Sequence, residues 1–201
     1  MAEYYMFHKP KGCISARTDP RHKTVMDYFP EHKREVLFHV GRLDMDTEGL
    51  LIVTDDGLLC HRLMMPSHKV SKTYFFWVMG ELSEQNCRIL EGGVRISRTD
   101  DSLTSEAKID IISKSTLASI RSLLDERMYK LSMYKPDIPI TSGTITITEG
   151  KKHQVKRMLM NVGCRVVYLK RLSIGRLSLD PDLPLGEFRP LTEYELDLLN
   201  S

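Results

Sequence analysis

Val40-Gly41-Arg42-Leu43-Asp44-Met45-Asp46-Thr47-Glu48-Gly49-Leu50-Leu51-Ile52-Val53-Thr54 sets an arginine and three acids between a short apolar segment and four consecutive aliphatic residues. A run such as Leu50 to Val53, with no polar alternation, is the pattern of a strand covered on both faces. Gly41 and Gly49 bracket the charges and permit backbone geometry that residues with a Cβ avoid. The acids are therefore expected on a tight loop leading into a sheet. An Asp there, two residues from Arg42, is partly desolvated and held ionised by cationic neighbours. Such an Asp can act as a nucleophile or a base.

Working outward, Tyr4 to His8 reads as a strand ended by the turn Lys9-Pro10-Lys11-Gly12, and Thr24 to Phe29 as a helical turn stopped by Pro30. Val36 to Val40 is strand-like and delivers the acidic loop, and Leu58 to Met64 has the spacing of a short helix ended by Pro66. Lys72 to Val78 is aromatic and β-branched, hence a strand, and Ser83 caps a helix over Glu84 to Glu91 with Gly92-Gly93 as its stop. Val94 to Ile96, Ala107 to Ile112, Thr144 to Thr148, Val166 to Leu169 and Arg176 to Leu179 complete the expected strands. Thr116 to Leu131 fits neither period, and Tyr134 to Pro139 is expected as a surface connection between halves. After Gly150, Val155, Met158, Leu159 and Val162 fall at i, i+3, i+4 and i+7, an amphipathic helix closed by Gly163. Arg157 then points away from the apolar stripe and Lys156 lies at its edge. Strands with interspersed helices indicate an α+β fold on a largely antiparallel sheet.

The 201 residues suffice for a substantial core without staples. The four cysteines (Cys13, Cys60, Cys87, Cys164) form no CxxC pair and have no His at ligand spacing, which argues against zinc or a disulfide framework and fits a reducing cytoplasm. No basic leader with an apolar stretch opens the chain, and no apolar run approaches a membrane span. The formal net charge of +2 hides an uneven distribution. Between Glu149 and Arg171 seven basic residues face one acid, so this window carries +6 and the rest of the chain −4. Lys9, Lys11, Arg17, Arg21 and Lys23 make a second enrichment opposed only by Asp19. Two such stretches can converge on one polyanion, although most charge runs are solvated surface.

Asp44 to Gly49 imitates the first half of a calcium loop, but Ile52 and Asp55 stand where its ninth and twelfth ligands belong, and strand-like residues follow in place of a helix. His61 and His153 lack partners at ligand spacing. No phosphate-cradling glycine loop and no Ser-His-Asp or Cys-His arrangement is evident.

Three blocks carry a family resemblance: Gly41-Arg42-Leu43-Asp44-x-Asp46-Thr47-x-Gly49-Leu50-Leu51, Lys72-Thr73-Tyr74, and Glu149-Gly150-x-x-His153-Gln154-Val155-Lys156-Arg157-Met158. They resemble, in order, the motifs of the RsuA-type pseudouridine synthases, as do the opening His8-Lys9-Pro10-x-Gly12 and the closing Gly186-Glu187-Phe188-Arg189-Pro190-Leu191-Thr192. The resemblance implies the pseudouridine synthase fold, a mostly antiparallel mixed sheet in two halves flanking a basic catalytic cleft. One catalytic domain is expected over 1–201, with approximate halves 1–66 and 67–201. Many members carry an N-terminal S4 RNA-binding domain, whereas this chain is expected to begin at the catalytic domain.

These enzymes isomerise uridine within RNA, breaking the N1–C1′ bond and rejoining the base through C5, with no metal or other cofactor. The resemblance makes Asp44 the catalytic carboxylate, whether it attacks C1′, adds to the base or removes the 2′ proton. It makes Lys156 the cation that keeps Asp44 ionised, and Tyr74 the ring against the flipped uracil; the bland alternative for Tyr74 is a core aromatic. Arg42 would fill the space left by the flipped base or hold the displaced strand. Lys72 would fix local structure or phosphate. Lys151, Lys152, Arg157 and Arg165, with Lys9 and Lys11, would bind RNA, phosphate contacts whose affinity falls as salt rises. The wording around His153 and Lys156 is closer to small-subunit (16S) rRNA enzymes than to large-subunit (23S) ones. The expectation is a cytoplasmic, monomeric 16S rRNA pseudouridine synthase; the alternatives are a 23S enzyme and a non-catalytic RNA-binding or ribosome-assembly module.

Overall fold

The structure, a computed structural model, describes residues 2–97 and 99–200. In chain order it contains β1 (Tyr4–Lys9), α1 (Glu31–Arg34), β2 (Phe38–Val40), β3 (Glu48–Thr54), α2 (Gly57–Met64), β4 (Lys72–Met79), α3 (Glu84–Glu91) and β5 (Lys108–Thr116). There follow α4 (Glu126–Tyr134), β6 (Pro139–Ile147), α5 (Gln154–Asn161), β7 (Arg165–Ile174), β8 (Leu177–Ser178), β9 (Phe188–Pro190) and α6 (Glu193–Asn200). Short 3-10 turns occupy Val25–Tyr28, Pro66–His68 and Leu117–Leu123. The fold is α+β on a mixed, mostly antiparallel sheet, as expected.

The chain forms two compact units: Met1–Tyr74 with Leu169–Ser201, and Phe75–Tyr168. This differs from a division at residue 66, because residues 169–201 return to the first unit. In the first unit β1 pairs antiparallel with β3 from Tyr4↔Thr54 to Lys9↔Gly49, and on its other edge with β9. The end of β7 pairs parallel with β3 at Glu48↔Lys170 and Gly49↔Arg171. Such long-range pairing leaves no local trace in sequence.

Strand β3 is covered on both faces. Leu50 and Ile52 enter one cluster with Met6, Val40, Leu59, Leu63, Ile174 and Leu199, while Leu51 and Val53 enter another with Phe7, Val25, Met26, Phe29 and Leu37. Each fully buried aliphatic side chain contributes about 1.5–3 kcal/mol before entropy is counted, so the acidic loop is delivered by a rigid strand. Phe29 stacks on Phe188 at 4.2 Å, tying the C-terminal segment to this core. There Arg189 donates to Asp180 and to both oxygens of Glu195, and Thr192 with Glu195 makes a reciprocal cap on α6. The Arg189 bonds pull the Glu195 carboxyl down to about 2.

The second unit is built on neighbouring strands β5, β6 and the later part of β4. Strands β5 and β6 run antiparallel with an irregularity between Ile111 and Ser113. Ser83 caps α3 by accepting from Asn86 N. Several expectations change in detail. Val94 to Ile96 makes only a single bridge, Arg95↔Leu103, and the strand expected at Arg176 to Leu179 shortens to β8. The ambiguous stretch resolves into the 3-10 turn Leu117–Leu123 followed by α4. The segment from Tyr134 to Pro139 joins α4 to β6 inside this unit, so it does not connect halves.

Candidate active site

In the first unit the acidic loop is fixed at successive backbone positions by the segment running from Lys9 to Ser15. Ser15 Oγ donates to Leu43 O and accepts from Leu43 N at 2.9 and 3.0 Å. Lys9 Nζ donates to the carbonyls of Asp44, Thr47 and Pro10, each at 3.0 Å. Gly12 N donates to Met45 O at 2.8 Å, and Thr47 N closes a turn onto Asp44 O at 3.1 Å. At the loop's start His39 Nδ1 donates to Gly41 O at 2.7 Å. Asp44 therefore sits, half-buried, on a backbone whose freedom has been removed on both sides.

The two bracketing glycines are required by this geometry. Gly41 has φ +70°, and a Cβ there would lie 2.8 Å from Met64 Sδ. Gly49 has φ +113°, and a Cβ would meet Arg171 O at 2.2 Å and Arg171 N at 2.5 Å. The parallel pairing of β3 with β7 thus depends on an absent side chain.

Lys9 overturns its sequence reading as an RNA contact. It is 0% exposed and holds three carbonyls, so its ammonium is not presented to a polyanion. Burial pushes its pKa below the usual lysine value, against the opposing pull of Cys13, Asp46, Asp44 and Glu48. Lys72 is half-buried and donates to Val70 O at 2.9 Å; burial, and then the neighbouring Arg171 guanidinium, lower its pKa too. Of the two readings left open for Lys72, the local structural one describes its contact. Lys11, Arg42 and Asp46 are exposed. Tyr74 is 8% exposed and lies on the buried side of the alternation in β4.

Sequence reasoning missed Ser15 and Arg171. Arg171 is 2% exposed, donates from Nε to Leu50 O at 2.8 Å, and has a terminal nitrogen with no protein partner among the described residues. Alternation from Leu169 along β7 was the available signal, since it puts Arg171 on the inward face. Ser15 lies in a polar loop and gave none.

The second unit carries Lys151, Lys152, Lys156, Arg157 and Arg165. Helix α5 buries Val155, Met158 and Leu159, leaves Arg157 exposed and Lys156 half-exposed, as its spacing predicts; Val162 falls just past its end. His153 precedes the helix in a left-handed conformation, φ +54°. Gln154 is buried and latches the segment: its Oε1 accepts from Lys151 N at 2.9 Å, and its Nε2 donates to Glu149 Oε1 at 2.6 Å. Glu149 also accepts from Ser105 N. Lys151 donates to Ser102 Oγ and Leu103 O at 3.2 Å and lies 3.9 Å from Glu149. Lys152, Arg157 and Arg165 are exposed.

A folded neighbour first defines the class. A solved structure described as a pseudouridylate synthase superposes over 99% of this chain and 74% of its own, with a TM-score of 0.80 at 32% identity. The human RNA pseudouridylate synthase domain-containing protein 1 shares the fold, at TM-score 0.54 and 13% identity over 99% of this chain and 91% of its own. The family model for RNA pseudouridylate synthase matches residues 3–161. An uncharacterized RNA pseudouridine synthase of Bacillus subtilis, YtzG, is 44% identical over 98% of this chain and 73% of its own length. The ribosomal small subunit pseudouridine synthase A of Escherichia coli is 36% identical over 96% and 72%. The chain belongs to the RNA pseudouridylate synthase family, in its RsuA-type branch, and is an enzyme acting on RNA.

Proposed function

We propose that this enzyme converts one uridine of small-subunit (16S) rRNA to pseudouridine, with Asp44 as the catalytic carboxylate. The observation that carries the reading is the pinned loop: the backbone of Leu43, Asp44, Met45 and Thr47 is held by Ser15, Lys9 and Gly12. A carboxylate that must meet one reacting atom gains from being placed before substrate arrives, because orientation then adds nothing to the barrier. The small-subunit assignment is supported by the relatives named ribosomal small subunit pseudouridine synthase A and by the His153 to Met158 wording.

The reaction needs the uridine out of its stack, at a cost of about a few kcal/mol. Arg42, exposed beside the loop, fills the space left behind or holds the displaced strand. Asp44 then acts on the freed nucleotide, Tyr74 lies against its uracil, and Lys156 supplies positive charge to the reaction. The base leaves C1′ through N1 and returns through C5; the C5 proton is released to solvent and the freed N1 takes one up, so that the product is an isomer of uridine. Lys152, Arg157 and Arg165 bind phosphates. The enzyme works in the cytoplasm as a monomer.

Tritium release from small-subunit rRNA labelled at uridine C5 tests this, with naked transcript and partly assembled subunits as substrates. Wild type releases tritium, and Asp44→Asn slows release by at least about a thousandfold. Release only from large-subunit (23S) rRNA would move the substrate. Equal function of wild type and Asp44→Asn would mean a binding or assembly role.

A further inference from the structure

The loop that bears Asp44 also carries an apolar side chain that its own geometry does not call for. Thr47 N closes the turn on Asp44 O at 3.1 Å, which puts Met45 and Asp46 at its two corners. Turn corners favour Pro, Gly, Asn, Asp and Ser, each for a backbone reason that methionine does not supply. Met45 nevertheless stands there, 44% exposed, with its carbonyl held by Gly12 N. A second methionine lies at the other end of the same loop. Met64, the last residue of α2, is 44% exposed too, and its sulfur is so near Gly41 that a Cβ there would come within 2.8 Å of it.

Neither methionine belongs to the apolar clusters on the two faces of β3, whereas Met6 and Met26 are fully buried there. Exposed Arg42 is bracketed by them: one thioether packs on the residue before it and the other follows three positions later. Asp44 directly precedes Met45, with Cα atoms about 3.8 Å apart. A strand that delivers a nucleotide to Asp44 therefore carries the flanking bases into this neighbourhood. Flipping the uridine leaves each of those bases with an unstacked apolar face. Thioethers suit such faces, because they are unbranched, polarizable and attracted to aromatic rings. Methionine is also among the apolar side chains that wedge between base steps in kinked nucleic acids.

We infer that Met45 and Met64 contact the bases flanking the target uridine, covering the faces exposed by flipping while Arg42 occupies the gap between them. This rests on the reading of Asp44 as the carboxylate that meets the flipped uridine. Continuity with that site decides the occupant, since a protein partner seated over Met45 would cover Asp44 as well. The backbone at Met45 is held beforehand by Gly12, so binding does not have to order it.

Methionine oxidation by hydrogen peroxide, read by mass spectrometry on the wild-type chain, tests the contact, because exposed thioethers become sulfoxides and covered ones are spared. With the rRNA transcript that the enzyme turns over, Met45 and Met64 oxidise at least about threefold more slowly than without RNA, while Met133, exposed on α4, keeps its rate. Absence of protection overturns the inference, and so does equal protection of Met133, which marks general coating by RNA. In tritium release Met45→Gln with Met64→Gln lowers kcat/KM about tenfold, with the slope of log affinity against log salt unchanged because no phosphate contact is lost. Met45→Leu with Met64→Leu stays within about twofold of wild type, since an apolar side chain is kept. Wild-type kcat/KM in the glutamine pair overturns the inference; if that pair fails to fold by thermal melting, the oxidation rates of the wild type decide. Tritium release by a wild type that shows no protection sinks this inference alone. No release from small- or large-subunit rRNA sinks the isomerase reading, and oxidation rates with a bound oligouridine then still decide the contact.

Discussion

The acidic loop of the first unit and the basic helix of the second are both held by buried polar groups, but to opposite ends. In the loop a buried cation, Lys9, binds carbonyls and fixes the backbone that bears Asp44. At the helix a buried neutral amide, Gln154, latches Glu149 and Lys151 N, and the cations Lys152 and Arg157 are left in solvent. A reacting carboxylate has to be placed to within a fraction of an ångström. Phosphate binding needs charge of the right sign within reach of water, where side-chain freedom costs little. The contrast teaches that a basic residue's role here is set by burial more than by its charge.

Substitution of Gly49 strikes the loop hardest. Gly49→Ala places a methyl 2.2 Å from Arg171 O at a φ of +113°, so β3 and β7 must part. We expect a loss of about 3–5 kcal/mol in urea unfolding, and no tritium release. Retention of wild-type stability would show that the β3–β7 pairing is looser than this geometry.

Lys9→Met comes next, because it leaves three inward carbonyls without a donor. Stability should fall by about 2–4 kcal/mol and tritium release with it, while RNA affinity is kept. A pH series sharpens the point. Lys9 has a folded pKa below its unfolded 10.5, so the unfolded chain binds more protons between those values. Its contribution to stability therefore rises with pH from the lowered pKa up to 10.5, and the rise is missing in Lys9→Met. If Lys9→Met instead weakened RNA binding and spared stability, the surface reading of this lysine would return.

The smallest effect is expected on the basic helix. Lys152→Gln with Arg157→Gln should leave stability within about 0.5 kcal/mol and reduce the slope of log affinity against log salt by about 1–1.5. An unchanged slope would place the phosphate contacts on other residues.

What could be read without coordinates follows what is local. The apolar run Leu50 to Val53, the alternation Tyr74-Phe76-Val78 and the i, i+3, i+4 spacing in α5 declare their elements because side-chain periodicity and backbone geometry are the same fact. The stretch from Thr116 to Leu131 did not, since a 3-10 turn has no strong period and α4 buries only its inner side. Lys9 was misread because a lysine beside a Pro-Gly turn looks like surface until its strand is seen inside the sheet.

By itself the sequence determined the α+β class, the order of most elements, the glycine-bracketed loop bearing Asp44 and the basic exposed side of α5. Each of these rests on residues within a few positions of one another. Tertiary structure alone decided that Lys9 is buried, that Ser15 and Arg171 support the loop, and that residues 169–201 return to the first unit. These depend on pairings such as Gly49↔Arg171 across more than a hundred residues of chain. Burial and partner choice are properties of that assembled neighbourhood, and no window of sequence contains it.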